Sequence, residues 1–202
     1  MSYWEKTLRS EASRFPSLSL FKSEFMSLSS PHPIWSTTGS NPYEVSKAIQ
    51  QARLLSGRYR TESLCSHWSK NKHGWCQGTS CTHQVENLEH ILLVCPSYAP
   101  IREKHFQLWM TYHCPITKAI LITALTNEPS YILQILLDCS TLANVILAVQ
   151  THGNVILENL FKLTRTFCYA IHRQRLDAGT TFPRFILLDW CIYFRFSLLC
   201  ES

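Results

Sequence analysis

A chain of 202 residues with a formal net charge of +5 is long enough for one core-bearing domain and does not require two. Its nine cysteines follow a start, MSYWEKTLRSEASRF, that lacks the apolar run of a signal peptide. That combination argues against a secreted disulfide scaffold and for free or metal-bound thiols inside the cell, in nucleus or cytoplasm. The most apolar windows, 116–125 and 182–200, are too short to span a bilayer or are interrupted by Arg184, Asp189 and Arg195, so no membrane partner is expected, whereas the basic balance suits an anionic one.

Residues 1–40 are Ser-rich, with Pro16, Pro31 and Pro33, and show neither helical period nor alternation, which predicts a flexible, poorly ordered arm. Asn41, Pro42 and Glu44 then supply an N-cap, a first-turn proline and a capping-box carboxylate, predicting a helix over 42–56 that Gly57 ends. Val45, Ala48, Ile49, Ala52 and Leu55 form its apolar stripe, with Lys47, Gln50, Gln51 and Arg53 on the wet side. Beyond it Arg58, Arg60, Lys70, Lys72 and His73 alternate with Tyr59, Trp68 and Trp75, an interleaving of cations and stacking rings that suits nucleic acid. Arg53, Arg58, Arg60, Lys70, Lys72 and Trp75 are the candidate contacts for RNA or DNA.

Cys76, Cys81, His90 and Cys95 follow at the spacing C-x4-C-x8-H-x4-C. Thiolates and imidazole are the ligands Zn²⁺ prefers, and four of them leave no open position for an activated water, so one structural zinc ion is expected. Residues 85–94 have helical composition, beginning near Glu86 or Asn87, with Leu88, Ile91 and Leu92 available to pack inward. Residues five apart on a regular helix point about 140° away from each other, so His90 and Cys95 can share an ion only if the helix ends before Cys95, as Pro96 suggests. Cys76 and Cys81 then belong on a loop or short hairpin containing Gly78. His83 is the main rival to His90 as ligand, and His73, Cys65 and His67 are also near in sequence. The chain lacks HExxH, a G-x-S-x-G elbow and a phosphate-binding glycine loop, so no catalytic residue and no small-molecule substrate are expected.

After a turn over 96–100, Ile101, His105, Leu108 and Trp109 predict a helix to about Tyr112. Helices over 130–138 and 141–151, the second capped by Ser140, precede a long one after Gly153 that ends near Asp177. Its apolar face holds Ile156, Leu160, Leu163, Phe167, Ala170 and Ile171, with Lys162, Arg165, Arg173 and Arg175 read as solvated. Cys139, Cys168, Cys191 and Cys200 read as small apolar fillers or free thiols. The expected fold is mainly α: a small helical domain with a CCHC zinc knuckle, in which 41–113 carry the basic helix and knuckle, 114–178 complete the same domain, and 179–202 form an atypical aromatic and apolar tail.

The runs KAIQQARLLSGRYRTESLCSHW, GWCQGTSC through LEHILLVCPSY, and LFKLTRTFCYAIHRQRL together resemble the segment that follows the polymerase domain in non-LTR (LINE-type) retrotransposon reverse transcriptases. That family carries a CCHC zinc-binding segment there, and Glu89, His90, Cys95 and Pro96 match its "EH-hydrophobic-C-P" element across a resemblance running from Lys47 to Leu176. The resemblance implies a role in holding element RNA or target DNA during target-primed reverse transcription. The chain departs from the family in lacking the paired aspartates of a polymerase and the length for an endonuclease, so it resembles a truncated piece that does not polymerise by itself. A helical protein-interaction fragment with a purely structural zinc site, or a remnant of a mobile element without function, stand as the alternatives.

Overall fold

The structure, a computed structural model of the chain, describes residues 6–7, 10, 20, 31–68, 73–78, 80–111, 129–143, 146–147 and 153–178. Residues 1–172 and 173–202 form two compact units, and of the second the described part is the end of the last helix with Ala178. The described residues are mainly helical: α1 (Pro33–Ser36), α2 (Pro42–Leu55), α3 (Glu62–Ser66), a π turn (His90–Val94), a 3₁₀ turn (Pro96–Tyr98), α4 (Ala99–Thr111), α5 (Pro129–Leu137), a second 3₁₀ turn (Cys139–Leu142) and α6 (Gly153–Asp177). Among them, strand-like pairing is limited to one antiparallel bridge, Trp75 with Val85. No helix among them is long and apolar enough to cross a membrane.

α2 begins where its capping residues place it, with the Asn41 side chain accepting from the Tyr43 N–H at 2.9 Å and Pro42 in the first turn. Its buried face is turned from the expected stripe. Lys47, Ala48, Gln50, Gln51, Leu54 and Leu55 are buried, while Val45, Ile49 and Ala52 are only half-buried. The helix lies against neighbours on more than one side, so its covered arc is wider than an apolar stripe, and a polar side chain can sit inside it if it is bonded. Gln51 meets that condition by donating to the Leu137 carbonyl at 3.0 Å and to Thr164 Oγ1 at 3.1 Å. Glu44 takes a different partner from a capping box: its carboxylate pairs with Lys47 at 2.7 Å and with Arg165 at 3.4 Å.

Arg175 is 2 % exposed rather than solvated, and the main departure from the sequence reading of α6 is Arg165, which is 1 % exposed. Its Nη1 donates to the Ile34 carbonyl at 3.2 Å, Thr37 Oγ1 at 3.2 Å and Thr38 Oγ1 at 3.0 Å, and Nη2 donates to the Thr37 carbonyl at 3.2 Å. These acceptors belong to α1 and the turn after it, so the end of the segment read as an arm is locked to the core. Ile34 is buried beside them, and one turn with one buried apolar residue has no periodicity to detect. A second tie joins His32 Nε2 to Asp138 Oδ2 at 3.3 Å. Asp138, not Ser140, caps the 3₁₀ turn at 139–142: its Oδ1 accepts from the Ser140 N–H at 3.0 Å and hydroxyl at 2.5 Å. Burial raises the Asp138 carboxyl, but hydrogen bonds from His32 and Ser140 outweigh it and hold the group below the usual carboxylate range.

The core is completed by Leu160, Phe161, Phe167, Cys168 and Ile171 of α6, Leu136 and Leu137 of α5, and Ile91 and Leu92 of the π turn. Cys139 and Cys168 are fully buried fillers as expected, and burial pushes the Cys139 thiol up to about 12. Lys70, Lys72, Cys191, Cys200, the segment 112–128, most of the expected helix over 141–151 and the tail 179–202 lie outside the described residues.

Candidate metal centre

Two local structures bring the four ligands together. The first is a short hairpin in which the Cys76 N–H donates to the Gln84 carbonyl at 2.8 Å and the Glu86 N–H to the Gly74 carbonyl at 2.9 Å, flanking the Trp75–Val85 bridge. Gly74 is required at its base: φ is +74° there, and a Cβ would lie 3.0 Å from Ser66 Oγ and 3.2 Å from Ser63 Cα. At the tip the Cys81 N–H closes on the Gly78 carbonyl at 2.9 Å, and the Gly78 N–H points at Cys76 Sγ at 3.4 Å, a contact that favours thiolate.

The second is the π turn. Asn87 starts it, with Oδ1 accepting from the His90 N–H at 2.7 Å and its carbonyl from the Ile91 N–H at 3.1 Å. Ile91 and Leu92, both 0 % exposed, anchor the turn in the core. The Cys95 N–H then bonds to the His90 carbonyl at 2.6 Å, the i→i+5 pattern that defines π winding. Wider winding puts a residue five positions on above its partner, which removes the 140° conflict of a regular helix. The helical stretch also stops before Cys95 as expected, because Cys95 takes an extended ψ of 121° ahead of Pro96, the conformation a following proline favours.

Cys76, Cys81, His90 and Cys95 are all buried, with one ligand atom from each lying within 4.8 Å of all the others, so the expected set is a group that can hold a metal ion. Cys95 Sγ is 3.8 Å from Cys76 Sγ and 3.5 Å from Cys81 Sγ. His90 Nε2 is buried without a hydrogen-bond partner, as befits a nitrogen reserved for a metal. Burial pushes the Cys76 thiol up to about 12, with Cys95 adding to the rise and the Gly78 N–H opposing it; burial raises Cys81 as well. Burial and then the Arg102 charge hold His90 below its ordinary value, leaving its imidazole neutral and able to ligate.

The rivals fall outside the group. His83 is exposed, adopts a left-handed φ of 58°, and sets its ring edge-on against Trp75 at 4.4 Å. His73 stacks on the same indole at 4.9 Å. Cys65 lies in α3 and His67 just after it, and neither joins the cluster.

The basic approach is altered in one respect. Arg58 and Arg60 are exposed, but Tyr59 between them is buried, with its hydroxyl bonded to His172 Nδ1 at 3.2 Å, and offers no stacking face. Arg53 is half-buried on α2, Trp75 is 39 % exposed beside its two imidazoles, and Trp68 is 70 % exposed.

Two residues that sequence reasoning passed over support the site. Glu86 is 1 % exposed, and its Oε1 accepts from the Glu62 N–H at 2.8 Å, fixing the hairpin to the start of α3. Arg102 of α4 donates from Nη2 to the Cys95 carbonyl at 2.5 Å. One signal was present for Arg102: it lies seven residues beyond Cys95, one turn before His105 on α4. Comparison with family models, with curated proteins and with solved structures finds no match to this chain.

Proposed function

We propose that the chain is a non-catalytic nucleic-acid-binding module built on one structural Zn²⁺, of the kind that follows the polymerase in LINE-type reverse transcriptases, and that it holds element RNA or target DNA during target-primed reverse transcription. The observation that carries the zinc assignment is the sulfur spacing. Thiolates about 2.3 Å from a tetrahedral ion lie about 3.8 Å from one another, and the two measured separations are 3.8 Å and 3.5 Å. Four protein ligands fill a tetrahedron, which supports a structural role over an active one.

Two features support the nucleic-acid role: the exposed Arg58 and Arg60, which precede the hairpin, and the Glu89-His90 and Cys95-Pro96 pairs that bracket the π turn, as in the family element. Purified protein is expected to carry about one Zn²⁺ per chain, and Cys76→Ser, Cys81→Ser or Cys95→Ser to release it. Binding to single-stranded nucleic acid is expected to weaken steeply with salt and on combined replacement of Arg58, Arg60, Lys70 and Lys72. Full zinc retention in all three cysteine variants would remove the metal assignment, and absence of binding at low salt would remove the nucleic-acid role. That second result would leave a helical protein-interaction fragment, a reading favoured by the exposed Trp68, Val85 and Val94 in the segments that build the site.

A further inference from the structure

We propose that Arg102 is the counter-charge of the metal centre: its guanidinium neutralises the net −1 that three thiolates and one neutral imidazole leave around a divalent ion. The inference rests on the cluster holding a divalent metal and adds the residue on which a buried site of that charge depends.

An ion with three Cys and one His ligand keeps one uncompensated negative charge, and burying such a charge is costly unless it is paired. All four ligands here are buried. Something positive must stand close by.

Arg102 occupies that place. It is 9 % exposed, and its Nη2 donates to the Cys95 carbonyl that follows the π turn. Nη1 is buried with no hydrogen-bond partner, and among the described residues no carboxylate pairs with this guanidinium. A buried cation without a carboxylate is as unfavourable as a buried anionic metal site. Placing each against the other offsets both costs. Through the Cys95 carbonyl the same side chain also fixes the backbone that follows the π turn, so Arg102 is a positioning residue as well as a charge.

Charge and position separate in a Co²⁺ titration of the full chain followed by ligand-field absorption. Arg102→Gln is expected to weaken Co²⁺ binding about ten- to a hundredfold, the usual effect of losing an outer-shell partner. Arg102→Lys, which keeps the charge but loses the fork, is expected to stay within about threefold of the parent. In a Cys81→His background the site is neutral, and the loss caused by Arg102→Gln is expected to shrink to a few fold; Cys76→His serves if that background takes no metal. A purely structural arginine would lose as much in the Lys variant as in the Gln variant, and as much in the neutral background as in the parent. Either result overturns the proposal, as does parental affinity in Arg102→Gln. Should Arg102→Gln not fold, a tenfold loss in Arg102→Lys is enough to overturn it. Absence of Co²⁺ uptake by the parent chain would remove the metal reading itself, a result distinct from all of these.

Discussion

The tip of the hairpin offers the sharpest test of how closely the metal loop is packed. An ideal Cβ on Gly78 would stand 2.6 Å from Ser97 Oγ, 3.4 Å from Cys81 Sγ and 3.5 Å from Cys76 Sγ. The two sulfur contacts are ordinary, but the approach to Ser97 is about 0.9 Å short of the roughly 3.5 Å at which atoms pack comfortably. Ser97 sits in the 3₁₀ turn at 96–98, directly after Cys95 and Pro96, so either its hydroxyl turns aside or the turn beside Cys95 must give. Overpacking of this kind costs about 1–3 kcal/mol. At about 1.4 kcal/mol per tenfold, Gly78→Ala is expected to weaken Co²⁺ or Zn²⁺ binding by about five- to a hundredfold, because a metal-free loop can swing clear and a loaded one cannot. Gly78→Ala combined with Ser97→Ala removes the obstructing oxygen and should recover most of the loss, with Ser97→Ala alone as the control. Competition titration against a chromophoric chelator measures all four affinities. An unchanged affinity in Gly78→Ala, or a loss that the double variant does not recover, would refute the packing argument.

Two further outcomes follow from the core and its histidines. Arg165→Met retains the aliphatic stem but removes four hydrogen bonds and the Glu44 pair from a site 1 % exposed, taking from the Thr37 carbonyl the donor that Nη2 supplies and leaving the Ile34 carbonyl with the Thr38 hydroxyl alone. Urea unfolding should show a loss of about 3 kcal/mol, at the lower end for breaking a buried pair because Glu44 remains partly in water; a loss under about 1 kcal/mol would mean the arginine is not what holds α1. His90 and His105 both lie below their ordinary values, His90 through burial and Arg102, His105 through burial and Lys104. The unfolded chain therefore binds these protons first as pH falls, so the stability of the metal-free protein should be full above pH of about 6.5 and decline below it, by at most about 1.4 kcal/mol per pH unit for each histidine. A flat profile between pH 7 and 5 in urea unfolding would contradict that assignment.

Legibility of the chain divides along a physical line. Local rules were readable: Asn41-Pro42 starts α2, the helical residues that carry His90 begin near Glu86 or Asn87, where Asn87 bonds the His90 N–H, Pro96 stops them, and the long period after Gly153 is α6. The Cys76, Cys81, His90 and Cys95 group was readable because holding a metal ion restricts both residue type and spacing. Facing was not readable where a polar side chain is bonded inside the core. Gln51 and Arg165 count as polar in any periodic analysis, yet each is covered because its partners, Leu137 and Thr164 for one and Ile34, Thr37 and Thr38 for the other, lie 86 to 131 residues away. α1 escaped notice for the opposite reason, since a single turn is too short for a period, and beyond its local cap from His32 it is fixed by bonds to Arg165. Arg102 escaped because its role depends on a charge that exists only when three thiolates meet.

The π turn links these observations. A spacing of four between His90 and the last cysteine would fit an ordinary helix, with both side chains on one face, and would need no unusual winding. The chain instead places five positions there, and π winding is rare because its hydrogen bonds are poorer than those of an α-helix. What the extra residue provides is a division of labour within the turn: Ile91 and Leu92 are both fully buried, Val94 is 53 % exposed, and Cys95 is returned to the His90 side at the point where Pro96 ends the helix. His90, Cys95 and the core anchor thus share six residues without competing for the same face. Structural metal binding contributes about 10–16 kcal/mol at neutral pH in small zinc-folded peptides, far more than one strained turn consumes. A cysteine displaced by one position from the α-helical register is therefore a stable solution when an ion joins it to His90, and Arg102, bonded to that cysteine's carbonyl, braces the turn from outside the ligand set.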